Sequence, residues 1–196
     1  MKVLLAIAAS PRRGGNSELL LNEFCRAAQD AGWQIDLLRI NDMKFRPCQA
    51  CDACAKDGRC VVRDDMQDVY PKVINADALV IASPITFGSM NAQLKMLIDR
   101  LQCWWHAKYN LKTPFIPEDA KHPGFFICVG ALKREQFCEN ALQIIKVFFH
   151  NINYTLEGNI AFRGYDQKGE IAKDPDALSE VYQAGKDFIA RVIKEK

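Results

Sequence analysis

Hydrophobic residues along this chain fall into short runs that are separated by segments of helical periodicity. Five strand-sized segments stand out, at residues 3–8, 35–40, 78–82, 125–129 and 159–163. Continuous apolar runs of this length are typical of parallel strands that are buried on both faces of a sheet. The pattern therefore predicts five strands, of which the first lies close to the N-terminus.

The segments between these strands carry apolar residues three and four positions apart, which predicts helices. The first helix presents Leu20 and Phe24 and ends at Gly32. Asp64 or Asp65 is predicted to cap the second helix, which reaches about residue 75 and would kink at Pro71. Later helices follow strands three, four and five. This alternation predicts a single α/β domain over residues 1–196, with a doubly wound parallel sheet.

Composition narrows the class of protein. The chain has 196 residues, of which 49% are hydrophobic and 26% charged, as is typical of a soluble globular domain. Its net charge of +2 favours neither nucleic acid nor an anionic membrane as a partner. No apolar run is long enough to span a bilayer, and the short N-terminal run is interpreted as a strand instead of a signal peptide. A cytoplasmic location is expected.

The loop after the first strand has the composition of a phosphate site. Residues 10–17 include two serines, two arginines, two glycines and an asparagine, without an acid, and lead into a helix. Free N–H groups and the positive dipole end at a helix start favour an anion. Hydroxyls and amides around such N–H groups suit a phosphate monoester. The alternative is that Ser17 only caps the helix. The loop is neither a dinucleotide fingerprint nor a Walker loop, so FMN is favoured.

The loops after the third and fourth strands should meet the phosphate loop at the sheet edge where doubly wound folds bind ligands. Apolar side chains and an open backbone suit the edge of a flat ring. The candidate ring contacts are Pro84, Ile85, Thr86, Phe87, Gly88, Ser89 and Gly130. A plain strand-to-helix turn is the alternative at both loops.

A long loop at residues 43–63 holds four cysteines in the spacing C-x2-C-x2-C-x5-C. These are Cys48, Cys51, Cys54 and Cys60. Thiols this close in sequence can converge on one centre, and the run is similar to that of bacterial ferredoxins, which favours a 4Fe–4S cluster. A structural zinc, redox-active thiols and ordinary loop cysteines are alternatives. Disulfides are disfavoured, because a reducing compartment is expected.

The other cysteines, the histidines and several aromatic residues could also take part in chemistry, but simpler interpretations are available for them. The remaining cysteines are expected to be buried small hydrophobes; they are Cys25, Cys103, Cys128 and Cys138. The three histidines lack metal-ligand spacing. Aromatic residues crowd the stretch around an irregular loop predicted at residues 105–123 and could form a lid over the flavin or a subunit contact; they are Trp104, Trp105, Tyr109 and Phe115.

Several motifs together resemble a known family. They are S-P-R-x-x-G-N-S at 10–17, the four cysteines, D-D-M at 64–66, A-D-A-L-V-I-A-S-P at 76–84 and A-Q-L-K-x-x-I-D-R at 92–100. This combination resembles the iron–sulfur flavoproteins, a branch of the flavodoxin-like NADPH-dependent FMN reductase family. The resemblance covers about the first 100 residues well. It implies strand order 2-1-3-4-5, with the four loop cysteines as cluster ligands and the flavin ring against residues 84–89. It also implies that the FMN phosphate is bound by Ser10, Arg12, Asn16 and Ser17. Thr86 stands where many relatives have an aromatic residue.

The resemblance implies electron transfer between a ferredoxin-like carrier or NAD(P)H and an acceptor, in a homodimer or homotetramer. No catalytic side chain is predicted, because the chemistry would be carried by the cofactors. One alternative is an NAD(P)H-dependent FMN or quinone reductase whose cysteine loop is structural or binds zinc. The other is a metal-stabilised binding or sensor module without turnover.

Overall fold

The structure, a computed structural model, describes residues 1–120 and 122–194 and is built around a parallel sheet. The strands are β1 (Val3–Ala8), β2 (Gln34–Arg39), β3 (Ala78–Thr86), β4 (Ser89–Met90), β5 (His122–Gly130) and β6 (Tyr154–Arg163). Five of them run parallel in the order β2-β1-β3-β5-β6, and the two-residue β4 pairs antiparallel with β3. The predicted order of the five main strands is confirmed, with β4 as an addition.

Helices cover both faces of this sheet. They are α1 (Asn16–Asp30), α2 (Met66–Asn75), α3 (Ala92–Arg100), α4 (Gln102–Trp105), α5 (Gln136–Asn151) and α6 (Pro175–Lys194). Along β1, Leu5 and Ile7 belong to the core cluster that contains buried residues of α2, α3, α4 and α5. Leu4 and Ala6 belong to the cluster shared with α1 and α6. This alternation explains why the first strand is apolar throughout.

Close packing of one helix against the sheet requires a glycine in β5. A Cβ atom built on Gly124 would lie 2.3 Å from the ring of Phe149 in α5. Real Cβ atoms do not approach so closely, so any side chain at this position would push α5 away from the sheet.

All four cysteines outside the cysteine loop are buried, as predicted.

Several predicted element bounds were wrong. β3 continues to Thr86 instead of ending at residue 82, because Ile85 and Thr86 pair with Met90 and Ser89. β6 begins at Tyr154 instead of residue 159. The stretch predicted to be irregular contains a π-helical turn at His106–Asn110 and a 3-10 turn at Glu118–Ala120. Residue 121 of that stretch lies outside the described residues.

The start of α2 refines the capping prediction. Asp64 Oδ1 accepts the Met66 N–H at 3.2 Å, whereas Asp65 occupies the N-cap position without a side-chain capping bond. The helix continues through Pro71, which is exposed.

None of the helices within the described ranges is long and apolar enough to cross a membrane.

Candidate functional site

A cavity of about 430 Å³ lies at the carboxyl ends of β1, β3 and β5. This is the edge at which doubly wound sheets bind their ligands. The structure brings eight of the predicted cofactor residues to its lining, namely Ser10, Arg12, Asn16, Ser17, Pro84, Ile85, Thr86 and Gly130. Phe87, Gly88 and Ser89 were predicted as ring contacts but are not among the lining residues. We call this space the flavin cavity, after the ligand that the sequence predicts for these residues.

The first loop forms a tight turn in front of α1. Ser10 Oγ accepts the N–H of Arg12 at 3.1 Å, and the Gly15 N–H donates to the Arg12 carbonyl at 3.1 Å. Gly15 is the N-cap residue of α1, and a Cβ there would lie 2.9 Å from the Arg12 oxygen. The absence of a side chain therefore lets the loop close against the helix start, where free backbone N–H groups favour an anion.

Ser17 supplies the clearest test of whether this loop fits a phosphate. The residue is 2% exposed and lies in the first turn of α1, where Gly15 is the N-cap residue, so the alternative that Ser17 only caps the helix does not hold. Its Oγ is buried and has no hydrogen-bond partner among the described residues, although Ser17 lines the flavin cavity. Leaving a buried hydroxyl unpaired costs about 1–3 kcal/mol. A phosphate oxygen in the cavity would remove this cost, so the loop fits the group.

The side chain of Asn16 has a structural task. Its Nδ2 donates to the Gln167 carbonyl at 2.9 Å, and its Oδ1 accepts the Ile171 N–H at 3.2 Å. Both ends of the amide therefore hold the segment after β6 against the start of α1. Nδ2 retains a second N–H that could donate to a ligand in the cavity.

The cavity also has basic residues, one of which the sequence reasoning missed. Arg12 and Lys168 both line the cavity and are exposed, whereas Arg13 pairs with Asp42 at 2.8 Å outside it. Lys168 lies about 150 residues from the first loop, and no local motif marks it. The Asn16 hydrogen bonds bring its segment to the site, so only the folded chain reveals it.

The second predicted loop is a β-hairpin. Pro84, Ile85 and Thr86 line the flavin cavity at the end of β3. Phe87 and Gly88 form the turn with φ values of 49° and 79°, and Phe87 is fully exposed. Because the hairpin turns at these two residues, its tip extends beyond the cavity lining.

Gly130 lets two walls of the cavity approach each other. A Cβ at this position would lie 3.0 Å from the Cβ of Ile85. The Gly130 carbonyl also accepts the N–H groups of Gly164 at 2.9 Å and Tyr165 at 3.3 Å, which ties β5 to the segment after β6.

Two further polar residues of the cavity were not predicted. Asn91 is buried, and its Nδ2 donates to the Ala9 carbonyl at 2.7 Å while its Oδ1 accepts from Ser83 Oγ at 3.1 Å. These bonds join the ends of β1 and β3.

Tyr165 donates from its hydroxyl to Asp174 at 2.5 Å, and this hydrogen bond raises the pKa of Tyr165 to about 12. The phenol therefore stays protonated near neutral pH.

The cysteine loop is joined at its two ends by a buried arginine. Arg100 donates to the carbonyl of Arg46 at 2.8 Å, to that of Val62 at 3.3 Å and to Asp64 at 2.7 Å. Burial works against ionisation of Asp64, but the hydrogen bonds from Arg100 and two backbone N–H groups outweigh it and hold the pKa of Asp64 below its usual value. The D-D-M and I-D-R motifs therefore meet in one ion pair.

The backbone between the thiols is tightly curled. Ala50 and Asp52 have φ values of 48° and 55°, in the left-handed region that non-glycine residues rarely adopt, and they flank Cys51. Gly58, at φ 73°, turns the chain two residues before Cys60. Such strain is concentrated where a loop is shaped for a ligand.

The four loop thiols are neighbours, but they do not converge in this arrangement. Burial, and then the nearby charges of Cys60, Cys48 and Cys51, raise the pKa of Cys54. Within the ranges 1–120 and 122–194, no three or more His, Cys, Asp or Glu side chains are disposed to hold a metal ion. The number and chemistry of the donors fit a cluster, while their side chains would have to turn toward a common centre.

Among the residues that the structure describes, the aromatic side chains of the stretch after α3 do not cover the flavin cavity. Trp104 is buried and stacks near Tyr70 and Phe115, at ring distances of 6.1 and 5.3 Å. Trp105, which is 39% exposed, contacts Tyr109 at 5.5 Å. None of these residues lines the flavin cavity.

Comparison with known proteins agrees with this geometry. The family model described as NADPH-dependent FMN reductase matches residues 1–164. Iron–sulfur flavoproteins from Methanocaldococcus jannaschii and Methanosarcina thermophila are 38% and 37% identical over 100 and 97 residues. These matches cover 51% and 50% of this chain. The chain spans about half the length of these curated relatives, 51% of each.

A solved structure resembles the whole fold. It is an NAD(P)H:quinone oxidoreductase from Methanothermobacter marburgensis, with a TM-score of 0.71, 18% sequence identity and 95% coverage of both chains. At that identity the likeness concerns the fold alone. The family match, over residues 1–164, covers more of the chain than the matches to the iron–sulfur flavoproteins do. It includes the first loop, the hairpin and the cysteine loop. The chain belongs to the NADPH-dependent FMN reductase family, and within that family about half of its length resembles the iron–sulfur flavoproteins.

Proposed function

We propose that this chain is a flavin-dependent oxidoreductase that binds FMN in the flavin cavity and a 4Fe–4S cluster in the cysteine loop. The observation that carries the proposal is the unpaired, buried hydroxyl of Ser17, a residue that lines a cavity at the start of α1. When bound, a flavin takes up two electrons and a cluster carries one at a time, so a chain holding both would connect a ferredoxin-like carrier or NAD(P)H with a further acceptor.

The phosphate would be held by residues of the first loop. Ser17 and the backbone N–H groups at the start of α1 would donate hydrogen bonds, and Arg12 and Lys168 would balance the negative charge. Ser10 would keep the loop closed through its bond to Arg12. Asn16 would act through the segment after β6, which its side chain holds in place.

The ring would lie between the ends of β3 and β5. Pro84, Ile85 and Thr86 offer one wall, and Gly130 leaves room on the other side. Phe87, Gly88 and Ser89 would contribute at the rim, because the hairpin ends outside the lining. Exclusion of water by these apolar walls would strengthen every hydrogen bond made to the ring.

The cluster would be bound by Cys48, Cys51, Cys54 and Cys60 after their side chains turn toward one centre. The curled backbone at Ala50 and Asp52 and the Arg100 bonds at the loop ends would limit how far the loop must move.

Anaerobic purification tests this proposal. The protein should contain about one FMN and about four irons per chain, with a broad visible absorption beneath the flavin bands. Cys51→Ala should lose the iron and the broad absorption but keep FMN, whereas Cys25→Ala, a buried cysteine outside the loop, should keep both. A flavin spectrum without iron in the wild-type protein would refute the cluster.

A second candidate is an NAD(P)H-dependent FMN or quinone reductase whose cysteine loop is structural or binds zinc. The observation in favour of a structural loop, though not of zinc, is that the loop thiols, as placed, are not arranged to hold a metal ion. Steady-state reduction of a quinone by NADPH distinguishes the two. Fast turnover that survives Cys51→Ala, with zinc or no metal bound, supports this candidate over the first.

We further propose that the chain assembles as a homodimer or homotetramer. The exposed side chains of Trp105 on α4, Val147 on α5 and Leu132 after β5 are apolar surface that such a contact would cover. Light scattering of the purified protein gives the subunit number directly, and a monomer at micromolar concentration would contradict the proposal.

A further inference from the structure

A second cavity, of about 290 Å³, lies between the cysteine loop, α2 and the segment 103–115. None of the residues that line it lines the flavin cavity. Of the four loop cysteines only Cys60 reaches it, so it is not the space between the thiols. We call it the aromatic cavity.

The walls of this cavity are apolar and held in place. Tyr70, Trp104 and Phe115 line it, with Trp104 in contact with the other two rings. The Tyr70 hydroxyl donates to the Arg100 carbonyl at 3.1 Å, which fixes its ring. Ile74 of α2 adds an aliphatic surface. Walls that are already ordered reduce the entropy lost on binding a flat ring.

Two arginines of the cavity lining give it a positive edge. Arg59 and Arg63 are both exposed, and Arg63 donates to Gln67 at 3.0 Å. Across residues 1–120 and 122–194, no carboxylate forms an ion pair with either guanidinium. Guanidinium groups that lack a carboxylate partner are well suited to bind an acidic ligand group through paired hydrogen bonds.

We propose that the aromatic cavity binds a small planar acid of one or two aromatic rings. The rings would stack among Tyr70, Trp104 and Phe115, and the acid group would reach Arg59 and Arg63. Aromatic contacts prefer offset or edge-to-face geometry, which the tilted wall rings offer. The cavity is of a size for a molecule smaller than FMN. The site shares no lining residue with the flavin cavity, whereas Cys60 is common to it and to the proposed cluster ligands.

Calorimetric titration of the FMN-loaded full chain with 2-naphthoate tests the site. This probe is planar, carries one carboxylate and is neither an oxidant nor an electrophile. We expect saturable binding of about one molecule per chain, weakened about tenfold or more in Arg59→Gln/Arg63→Gln because each charge-assisted bond contributes strongly. Lys56→Gln removes an exposed charge of the same loop outside the cavity and should leave the affinity unchanged.

Two further measurements separate ring binding from surface charge. Neutral 2-naphthol should bind the wild-type protein and the double arginine variant equally. Ile74→Trp should remove binding of both compounds, because the larger side chain fills the cavity. Absence of binding at millimolar 2-naphthoate overturns the proposal. So does an equal loss of affinity in the Lys56 variant and the arginine variant, which would indicate a general charge effect.

Discussion

At the scale of single residues, Ser17 links stability to ligand binding. Its buried hydroxyl has no partner, so Ser17→Ala should not lower the stability of the FMN-free protein. The same change should weaken FMN binding about tenfold, because one hydrogen bond to the phosphate is lost. Quenching of flavin fluorescence measures the affinity, and thermal unfolding of the FMN-free protein measures the stability.

Ser179→Ala is the matched control for Ser17, since Ser179 is an exposed serine on α6. It should leave both the affinity and the melting temperature unchanged. If Ser17→Ala destabilises the FMN-free protein and leaves FMN affinity intact, the hydroxyl serves the fold and not the ligand.

Arg100 is the residue on which the cysteine loop depends most. Removing one partner of a buried ion pair leaves the other charge uncompensated, so Arg100→Met should lower the free energy of unfolding by about 3–5 kcal/mol. Urea unfolding measures this loss. Arg26→Met removes an exposed guanidinium paired with Glu23 and should leave the free energy of unfolding nearly unchanged, because exposed ion pairs contribute little.

The pH dependence distinguishes the ion pair from packing. Because the pKa of Asp64 is lowered in the folded protein, its carboxylate contributes stability above its unfolded pKa of about 3.9, and this contribution is lost as pH falls through the folded value. Arg100→Met should therefore flatten the fall in stability on the acid side. An unchanged acid slope in that variant would show that the pair is not the cause.

Some site residues could be predicted from sequence and others could not, for a physical reason. Ser10 to Ser17 lie beside one another in the chain, so their composition already marks a site. Lys168 and Tyr165 reach the cavity only because Asn16 and Gly130 bind the segment after β6. The role of Arg100 was equally hidden, because it acts on residues about 36 to 54 positions earlier.

At the scale of secondary-structure elements, the hairpin between β3 and β4 was missed. Its turn lacks the Asn-Gly or Asp-Gly pair that marks such hairpins, since Phe87 takes the first left-handed position. The buried strands, by contrast, were predicted, because runs of apolar residues are easily recognised in a sequence. Beyond its apolar run, β3 continues because it pairs with β4 and β5, and this pairing determines where the strand ends.

The strained turn leads to a prediction for the hairpin. Phe87 is fully exposed at a φ of 49°, so Phe87→Asn loses no burial and gains a residue that tolerates this conformation. Unfolding in urea should show a gain of up to about 1 kcal/mol. Gly88→Ala should instead destabilise, because φ is 79° there and its Cβ would lie 3.0 Å from the Phe137 ring. Destabilisation by Phe87→Asn would mean that the aromatic ring supports the turn.

At the scale of the whole molecule, the sheet brings distant segments to one edge. Because β1, β3 and β5 are parallel neighbours, their following loops meet there, and the strand order alone locates the flavin cavity. The cysteine loop follows the edge strand β2 instead, so its position depends on the bonds of Arg100 and Asp64. The strand order therefore predicts where the flavin cavity lies, whereas the position of the cysteine loop can be known only from side-chain contacts.

This arrangement predicts that FMN stabilises the entire domain through its phosphate. Ligand at about 100 times its dissociation constant adds about 2.7 kcal/mol, which raises the melting temperature of a chain this size by about 5–10 °C. Riboflavin at the same concentration has the ring but no phosphate, so it cannot engage Ser17 and the start of α1 and should shift the melting temperature much less. Thermal unfolding of the FMN-free protein with each compound makes the comparison. Equal shifts would show that the ring alone provides the binding energy and that the first loop is not a phosphate site.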